Sequence, residues 1–319
     1  MKQQLAAWLS DEVGAPVTIG RLQRTSTGFS RENWVFDATW NGETRALIAR
    51  RDPVGSVLET DRAVETAVLR ALERTDVPSP PLLWVDLDGS RCDRPCLVME
   101  LVPGVCDSFA LDGDRPLDER VTLAHRIYDL LAQIHLLDWR ALGLDEAMSD
   151  PSSSAALAAL AHWESELHRV QLGPEPELAY VISWLREHAP TNDVVTLVHG
   201  DFKPGNLLLL DDEVSAVLDW ETAHLGDPHE DLGWVTNPLR AAEHRIPGSW
   251  EPDDLFARWS SITGMEVDPE RVRWWQVLAN LKLAVIVLTG SHAWVDGRLD
   301  RINQSPVGIC RLLLDQMGV

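Results

Sequence analysis

The chain has few cysteines, few basic residues and no long apolar run. Its four cysteines are Cys92, Cys96, Cys106 and Cys310. Cys92 and Cys96 resemble half of a zinc site, but no matching ligand pair follows, so free intracellular thiols are the stronger reading. Lysine and arginine number 28 against 50 acidic residues, a net charge of −22. That balance argues against nucleic acid, whose phosphates would be repelled. Solubility accounts for the excess, which says little about the field in any one cleft. The apolar run Ala284–Leu288 is short and flanked by Lys282 and His292, so it reads as a buried helix, with no membrane partner. Met1-Lys2-Gln3-Gln4 lacks the basic-then-apolar pattern of a signal peptide, which makes a cytoplasmic location the expectation. There is no internal repeat. G-x-G-x-x-G is absent, and no G-x-x-x-x-G-K-[ST] occurs, which argues against a P-loop enzyme.

What is present is a chain of 319 residues, 45% of them hydrophobic. That excludes a disordered protein and leaves room for a large core in two lobes. One stretch stands out. Leu197-Val198-His199-Gly200-Asp201-Phe202-Lys203-Pro204-Gly205-Asn206-Leu207-Leu208-Leu209 runs from one apolar strand through a polar turn into another. Asp201 and Asn206 have the spacing of a kinase catalytic loop. A second carboxylate, Asp219, ends the next strand. Phosphoryl transfer needs a positioned acceptor hydroxyl and cations that neutralise the phosphates. Asp201 suits the hydroxyl proton. Asn206 and Asp219 offer hard oxygens of the kind Mg²⁺ takes beside phosphate and water. Lys203 is within reach of a transferring phosphate. Gly205 reads as the residue that lets the backbone turn tightly. An exposed polar hairpin would explain a lone His-Gly-Asp, but not the whole constellation.

On these residues the chain resembles the aminoglycoside phosphotransferases and choline kinases, relatives of the protein kinases. Leu218-Asp219-Trp220-Glu221, Gly226-Asp227-Pro228 and Asp231-Leu232 resemble more narrowly the branch related to domains attached to acyl-CoA dehydrogenases. Ala49-Arg50-Arg51-Asp52-Pro53 and Thr75-Asp76-Val77-Pro78-Ser79-Pro80 fit that branch too. The resemblance implies an α+β, bilobal, protein-kinase-like fold. Residues 1–101 would be a small N-terminal lobe with an antiparallel sheet. Residues 102–319 would be a larger, mainly helical lobe with catalytic and substrate-binding residues. It also implies ATP as donor, with GTP open, Mg²⁺ as cofactor and a small-molecule hydroxyl as acceptor. A hydroxy acid or hydroxyacyl-CoA is favoured over an aminoglycoside. The alternative is a nucleotide-binding pseudokinase acting through protein contacts, against which Asp201, Asn206 and Asp219 stand intact.

The periodicity predicts a helix over 3–13, strands near 17–23, 33–40, 45–50, 82–87 and 96–101, and an amphipathic helix over 59–74. Asn41-Gly42 signals a hairpin. The Ser- and Ala-rich patch at 149–161 predicts a helix after a loop. By the resemblance, Ser26, Thr27, Gly28, Phe29 and Ser30 cover the nucleotide phosphates, although one glycine makes a weak loop signal. Arg50 replaces the usual lysine on the third strand, with Glu65 as its helix partner. Met99, Glu100 and Leu101 would form the adenine hinge. His199 reads as a loop prop, Asp231 as a helix cap or brace of the loop backbone, and His135 as a satisfied histidine. Candidates for the acceptor pocket are Glu221, His224, Lys282, His292, Asp296 and Arg298, with Trp274 and Trp275 either core or pocket lining.

Overall fold

A computed structural model describes residues 1–25, 31–53, 61–152, 154–191, 194–297 and 307–317. In the N-terminal part, α1 (Lys2–Val13) is followed by β1 (Thr18–Arg24), β2 (Glu32–Trp40) and β3 (Glu43–Arg51). Asn41 and Gly42 turn β2 into β3 with φ of 52° and 83°. Positive φ at both positions belongs to the two-residue turn whose twist matches its strands. Then come α2 (Arg62–Leu72), β4 (Leu82–Asp86) and β5 (Cys96–Glu100). The five strands pair antiparallel in the order β1-β2-β3-β5-β4. One sheet face packs on α1 through Leu5, Trp8 and Leu9 against Phe36, Ala38, Leu47 and Ala49. Cys92 and Cys96 are buried free thiols in that core, and Cys106 is an exposed one.

α2 is shorter than its sequence pattern. Asp61 caps it, accepting the Ala63 N–H at 2.8 Å, and it ends at Leu72, five residues ahead of the Pro-rich segment. The side chain of an N-cap accepts from a first-turn N–H that has no preceding turn to bond to, so such a residue sets the start.

The chain divides into two compact units, Met1–Val105 with Leu207–Thr222, and Cys106–Asn206 with Ala223–Val319. The segment 207–222, expected in the C-terminal lobe, thus groups with the first unit. The cause is local pairing. Val105 bridges Leu209 antiparallel, and the Val217 N–H donates to Pro78 O at 2.8 Å. Leu207–Leu210 and Glu213–Val217 form a hairpin of their own.

The second unit is mainly helical. Its main described helices include Leu117–His135, Ala155–Val170, Pro176–Glu187, His229–Val235, Pro252–Thr263 and Pro269–Val295. A two-stranded ladder, Thr196–Val198 with His224–Gly226, leads into the polar turn. Pro269–Val295 has 27 residues, with Asp268 capping and Pro269 at its first turn. Against the expectation that no run was long enough, this helix could cross a membrane by length and composition alone. Over an 18-residue window of it the mean hydropathy is 1.4, and 61% of that window is buried inside the protein. A core helix that is apolar on all sides passes the same test.

Candidate active site

In the second unit, the turn after Thr196–Val198 is built on one buried carboxylate. Asp231, fully buried in the first turn of His229–Val235, accepts the His199 N–H at 2.8 Å and the Gly200 N–H at 2.9 Å. His135 Nε2 lies 3.1 Å from the same carboxylate. The Trp259 indole N–H donates to His135 Nδ1 at 3.0 Å, which puts the histidine proton on Nε2, where it donates to Asp231. Burial alone would raise the Asp231 pKa, but the His135 bond, neighbouring histidines and backbone N–H groups hold it below the usual carboxylate value. Gly200 has φ +79°, a left-handed conformation that a side chain resists.

The loop then gathers three of the predicted residues. Lys203 Nζ lies 2.6 Å from Asp201 Oδ2. Asn206 Nδ2 donates to the Asp201 carbonyl at 2.9 Å and to Oδ2 at 3.0 Å. His199 Nδ1 accepts the Asp201 N–H at 3.2 Å, so that imidazole serves the loop backbone. Gly205 lacks a positive φ, contrary to the tight-turn reading. It instead lies against Ser108, whose hydroxyl would crowd a Cβ there.

In the first unit, Arg50 joins the other two. Its Nη1 lies 3.0 Å from Glu65 Oε1 and its Nη2 2.6 Å from Asp219 Oδ1. Burial would lower the Arg50 pKa, yet Glu65, Asp219 and Glu221 together raise it. Arg51, next along β3, turns to the other face and meets Glu32 at 2.6 Å. Two arginines that the sequence reading missed complete the cluster. Arg62 reaches Glu65 Oε2 at 2.8 Å and Asp52 Oδ1 at 2.7 Å. Arg31 lies 3.2 Å from Asp52 and 3.1 Å from Glu221. Glu221, an acceptor-pocket candidate, thus has an arginine at ion-pair distance. The only available signal was Arg62 three residues before Glu65 in the helix pattern; nothing local marked Arg31.

Met99 is buried and pairs with Ile48 and Leu82. The N–H groups of Glu100 and Leu101 donate to Pro81 O at 3.0 Å and Ala46 O at 3.1 Å, so sheet bonds occupy both. The Glu100 side chain pairs with Arg45. Ser26, Thr27, Gly28, Phe29 and Ser30 lie outside the described residues, as does Arg298.

The remaining acceptor candidates scatter over the second unit. His224 Nε2 meets Glu230 at 3.0 Å, and His292 lies between Val170 O and Asp296. Trp274 and Trp275 are buried, their indoles bonded to Leu185 O and Asp227. Lys282 donates to Gly200 O at 2.7 Å.

The profile of the Phosphotransferase enzyme family matches residues 21–275. The chain belongs to this family. Among curated relatives, mouse acyl-CoA dehydrogenase family member 10 is 31% identical over 195 residues, 60% of this chain and 18% of that protein. This phosphotransferase thus spans less than a fifth of that relative's length. Among solved structures, a protein from Ralstonia eutropha JMP134, provisionally named an aminoglycoside phosphotransferase, has a TM-score of 0.74 at 22% identity, covering 99% of this chain and 95% of that one. A thermostable aminoglycoside phosphotransferase APH(4)-Ia, solved with ADP and hygromycin B, has a TM-score of 0.61 at 17% identity and 98% coverage of both chains. The phosphotransferase has the protein-kinase-like α+β fold of these neighbours.

Proposed function

We propose that this phosphotransferase moves the γ-phosphoryl group of ATP to a hydroxyl of a small molecule, with Mg²⁺ as cofactor. The observation that carries the reading is the Asp201 carboxylate, flanked by Lys203 and Asn206 on a loop tied to buried Asp231. Asp201 would accept the hydroxyl proton as the acceptor oxygen bonds to phosphorus. The bond from that phosphorus to the bridging oxygen breaks, and ADP leaves. The neighbour solved with ADP and hygromycin B supports a nucleotide donor and a small acceptor.

By the family resemblance, Asn206 and Asp219 are the residues proposed for the metal, each by its own chemistry. The amide donor end of Asn206 is taken by Asp201, which leaves its oxygen for a cation, and Asp219 supplies an anionic oxygen. When bound, Mg²⁺ would neutralise charge on the phosphates. Arg50, steadied by Glu65, would hold the α- and β-phosphates through its planar fork. Met99, Glu100 and Leu101 would border the adenine, with the Glu100 and Leu101 N–H groups held in sheet bonds. The similarity to an acyl-CoA dehydrogenase family member favours a hydroxy acid or hydroxyacyl-CoA as acceptor.

Thermal shift with ATP or GTP, with and without Mg²⁺, tests the donor site. A phosphate-transfer screen over aminoglycosides, choline, hydroxy acids and hydroxyacyl-CoAs tests the rest. Stabilisation by Mg²⁺·ATP and ADP release with a hydroxylated acid or its thioester is expected. Absence of both ends the proposal.

A further inference from the structure

Only three of the 28 basic residues are lysines: Lys2, Lys203 and Lys282. Lys2 is exposed. The other two meet the backbone and side chain around Asp201. Lys203 lies on the Asp201 carboxylate, and Lys282, only 8% exposed, donates to the Gly200 carbonyl at 2.7 Å. Trp163 and Trp234 flank the Lys282 ammonium, their ring centres 5.5 and 4.8 Å from Nζ. The enclosed space it shares with Gly200 and Glu230 has about 10 Å³, room for one water. The cation therefore acts on the protein itself. Burying an ammonium is costly, and two indole faces recover only part of its lost hydration.

The Gly200 carbonyl and the Asp201 N–H belong to one planar peptide unit. Lys282 holds its oxygen, and His199 Nδ1 accepts its N–H at 3.2 Å. A plane held at both edges leaves little freedom in ψ of Gly200 and φ of Asp201, the two angles that aim the Asp201 side chain. On the other side of Gly200, Asp231 Oδ1 accepts the Gly200 N–H at 2.9 Å. Gly200 thus has an anion on its N–H and a cation on its C=O, each a charge-assisted bond. Glycine has the freest backbone of any residue, and φ here is +79°. Asp231 alone would leave the peptide that leads into Asp201 free to turn. Lys282 holds that peptide.

We infer that Lys282 is a positioning residue for phosphoryl transfer: from the long helix Pro269–Val295 it fixes, through the Gly200 carbonyl, the peptide that aims Asp201 at the acceptor hydroxyl. The inference rests on the phosphotransferase reading above and adds a residue to its machinery. Burial lowers the Lys282 pKa, and Glu230, Asp201 and Asp231 act against that fall. With room for no solute beside the ammonium, its loss should appear in kcat rather than in ATP binding.

Lys282→Met keeps an unbranched stem and removes the ammonium, while Lys282→Arg keeps a cationic donor. ADP release from Mg²⁺·ATP is followed for both variants and wild type, with water alone and with the aminoglycosides, choline, hydroxy acids and hydroxyacyl-CoAs of the transfer screen. Thermal shift by Mg²⁺·ATP is measured beside it. Lys282→Met should lower kcat by about 10- to 100-fold, the scale of a misplaced reacting group, with KM for ATP and the nucleotide shift unchanged. Lys282→Arg should recover part of kcat. A wild-type kcat in Lys282→Met overturns the inference. So does a loss shared by kcat, KM and melting temperature that arginine does not relieve, because that is general packing. Should neither variant fold, wild type labelled with ¹⁵N at the lysine Nζ atoms keeps the test open, since the chain has only three lysines. Lys282 ammonium protons protected from solvent at neutral pH, and coupled to the Gly200 carbonyl carbon, are expected. Protons that exchange as fast as those of Lys2 overturn the inference. A wild type with neither Mg²⁺·ATP stabilisation nor ADP release instead removes the phosphotransferase reading, while the NMR signal still reports the hold on Gly200.

Discussion

Arg50 holds Asp219 directly, Nη2 to Oδ1 at 2.6 Å, while its other terminal nitrogen holds Glu65 at 3.0 Å. Asp219 has φ +68°, a conformation uncommon outside glycine, although aspartate tolerates it better than most. The proposed metal ligand and the proposed phosphate clamp are thus set against each other by a two-pronged guanidinium. A point charge on a lysine stem cannot make both bonds in this plane.

That geometry separates the two adjacent arginines. Arg50→Ala should raise KM for ATP and lower kcat, because a loosely held triphosphate is also misaligned for in-line transfer. Arg50→Lys should restore only part. Arg51→Ala should be mild in ATP kinetics, since Arg51 serves Glu32 and Cys92 O on the other face. A severe Arg51→Ala defect beside a normal Arg50→Ala enzyme would reverse the assignment.

Asp219→Ala removes one ligand and leaves Arg50 its bond to Glu65. Folding should persist while the Mg²⁺ requirement for ATP binding weakens. Titration of ATP with and without Mg²⁺ reads this. An unchanged metal dependence would move the metal elsewhere.

Asp201→Asn keeps the size and an acceptor oxygen but loses the base. Turnover should fall by about 100- to 10,000-fold, with little change in nucleotide binding, since the proposed contact of the carboxylate is with the acceptor. Steady-state kinetics on a confirmed acceptor, beside a thermal shift with Mg²⁺·ATP, tests both halves. Near wild-type turnover would falsify the role.

Asp231→Ala strips the acceptor from two loop N–H groups and from His135 at once. It should cost about 3 kcal/mol of stability or more, since three buried donors are left unpaired at about 1–3 kcal/mol each. Urea denaturation measures it. A loss under about 1 kcal/mol, the scale of an ordinary surface change, would mean the loop is held otherwise.

His244 makes stability depend on pH. It is buried with Nδ1 2.8 Å from the Tyr128 hydroxyl, and burial together with Arg240 pushes its pKa well below the ordinary histidine value. Below about pH 6.5 the unfolded chain takes up a proton there that the folded chain does not. Its contribution is therefore complete above that pH and lost as pH falls, by up to about 1.4 kcal/mol per unit. Asp231 adds a separate loss only below about pH 4, as pH falls toward its depressed folded value. Chemical denaturation across pH should show the first slope in wild type and less of it in His244→Gln. An equal slope in both would assign it to other groups.

Short-range features were legible in the letters. Asn41-Gly42 turns where its φ preferences demand, Leu5, Trp8 and Leu9 share a helix face, and the Asp201–Asn206 spacing closes on itself within one loop. Each depends on backbone geometry and on neighbours a few residues away. Tertiary structure alone decided that Glu221 lies beside Arg31, that His135 and Trp259 hold Asp231, and that Lys282 lies under Gly200. With 28 basic and 50 acidic residues, many pairings satisfy charge on paper. Only packing shows which charges lose their water, and those must find their partners at a distance the sequence does not encode locally.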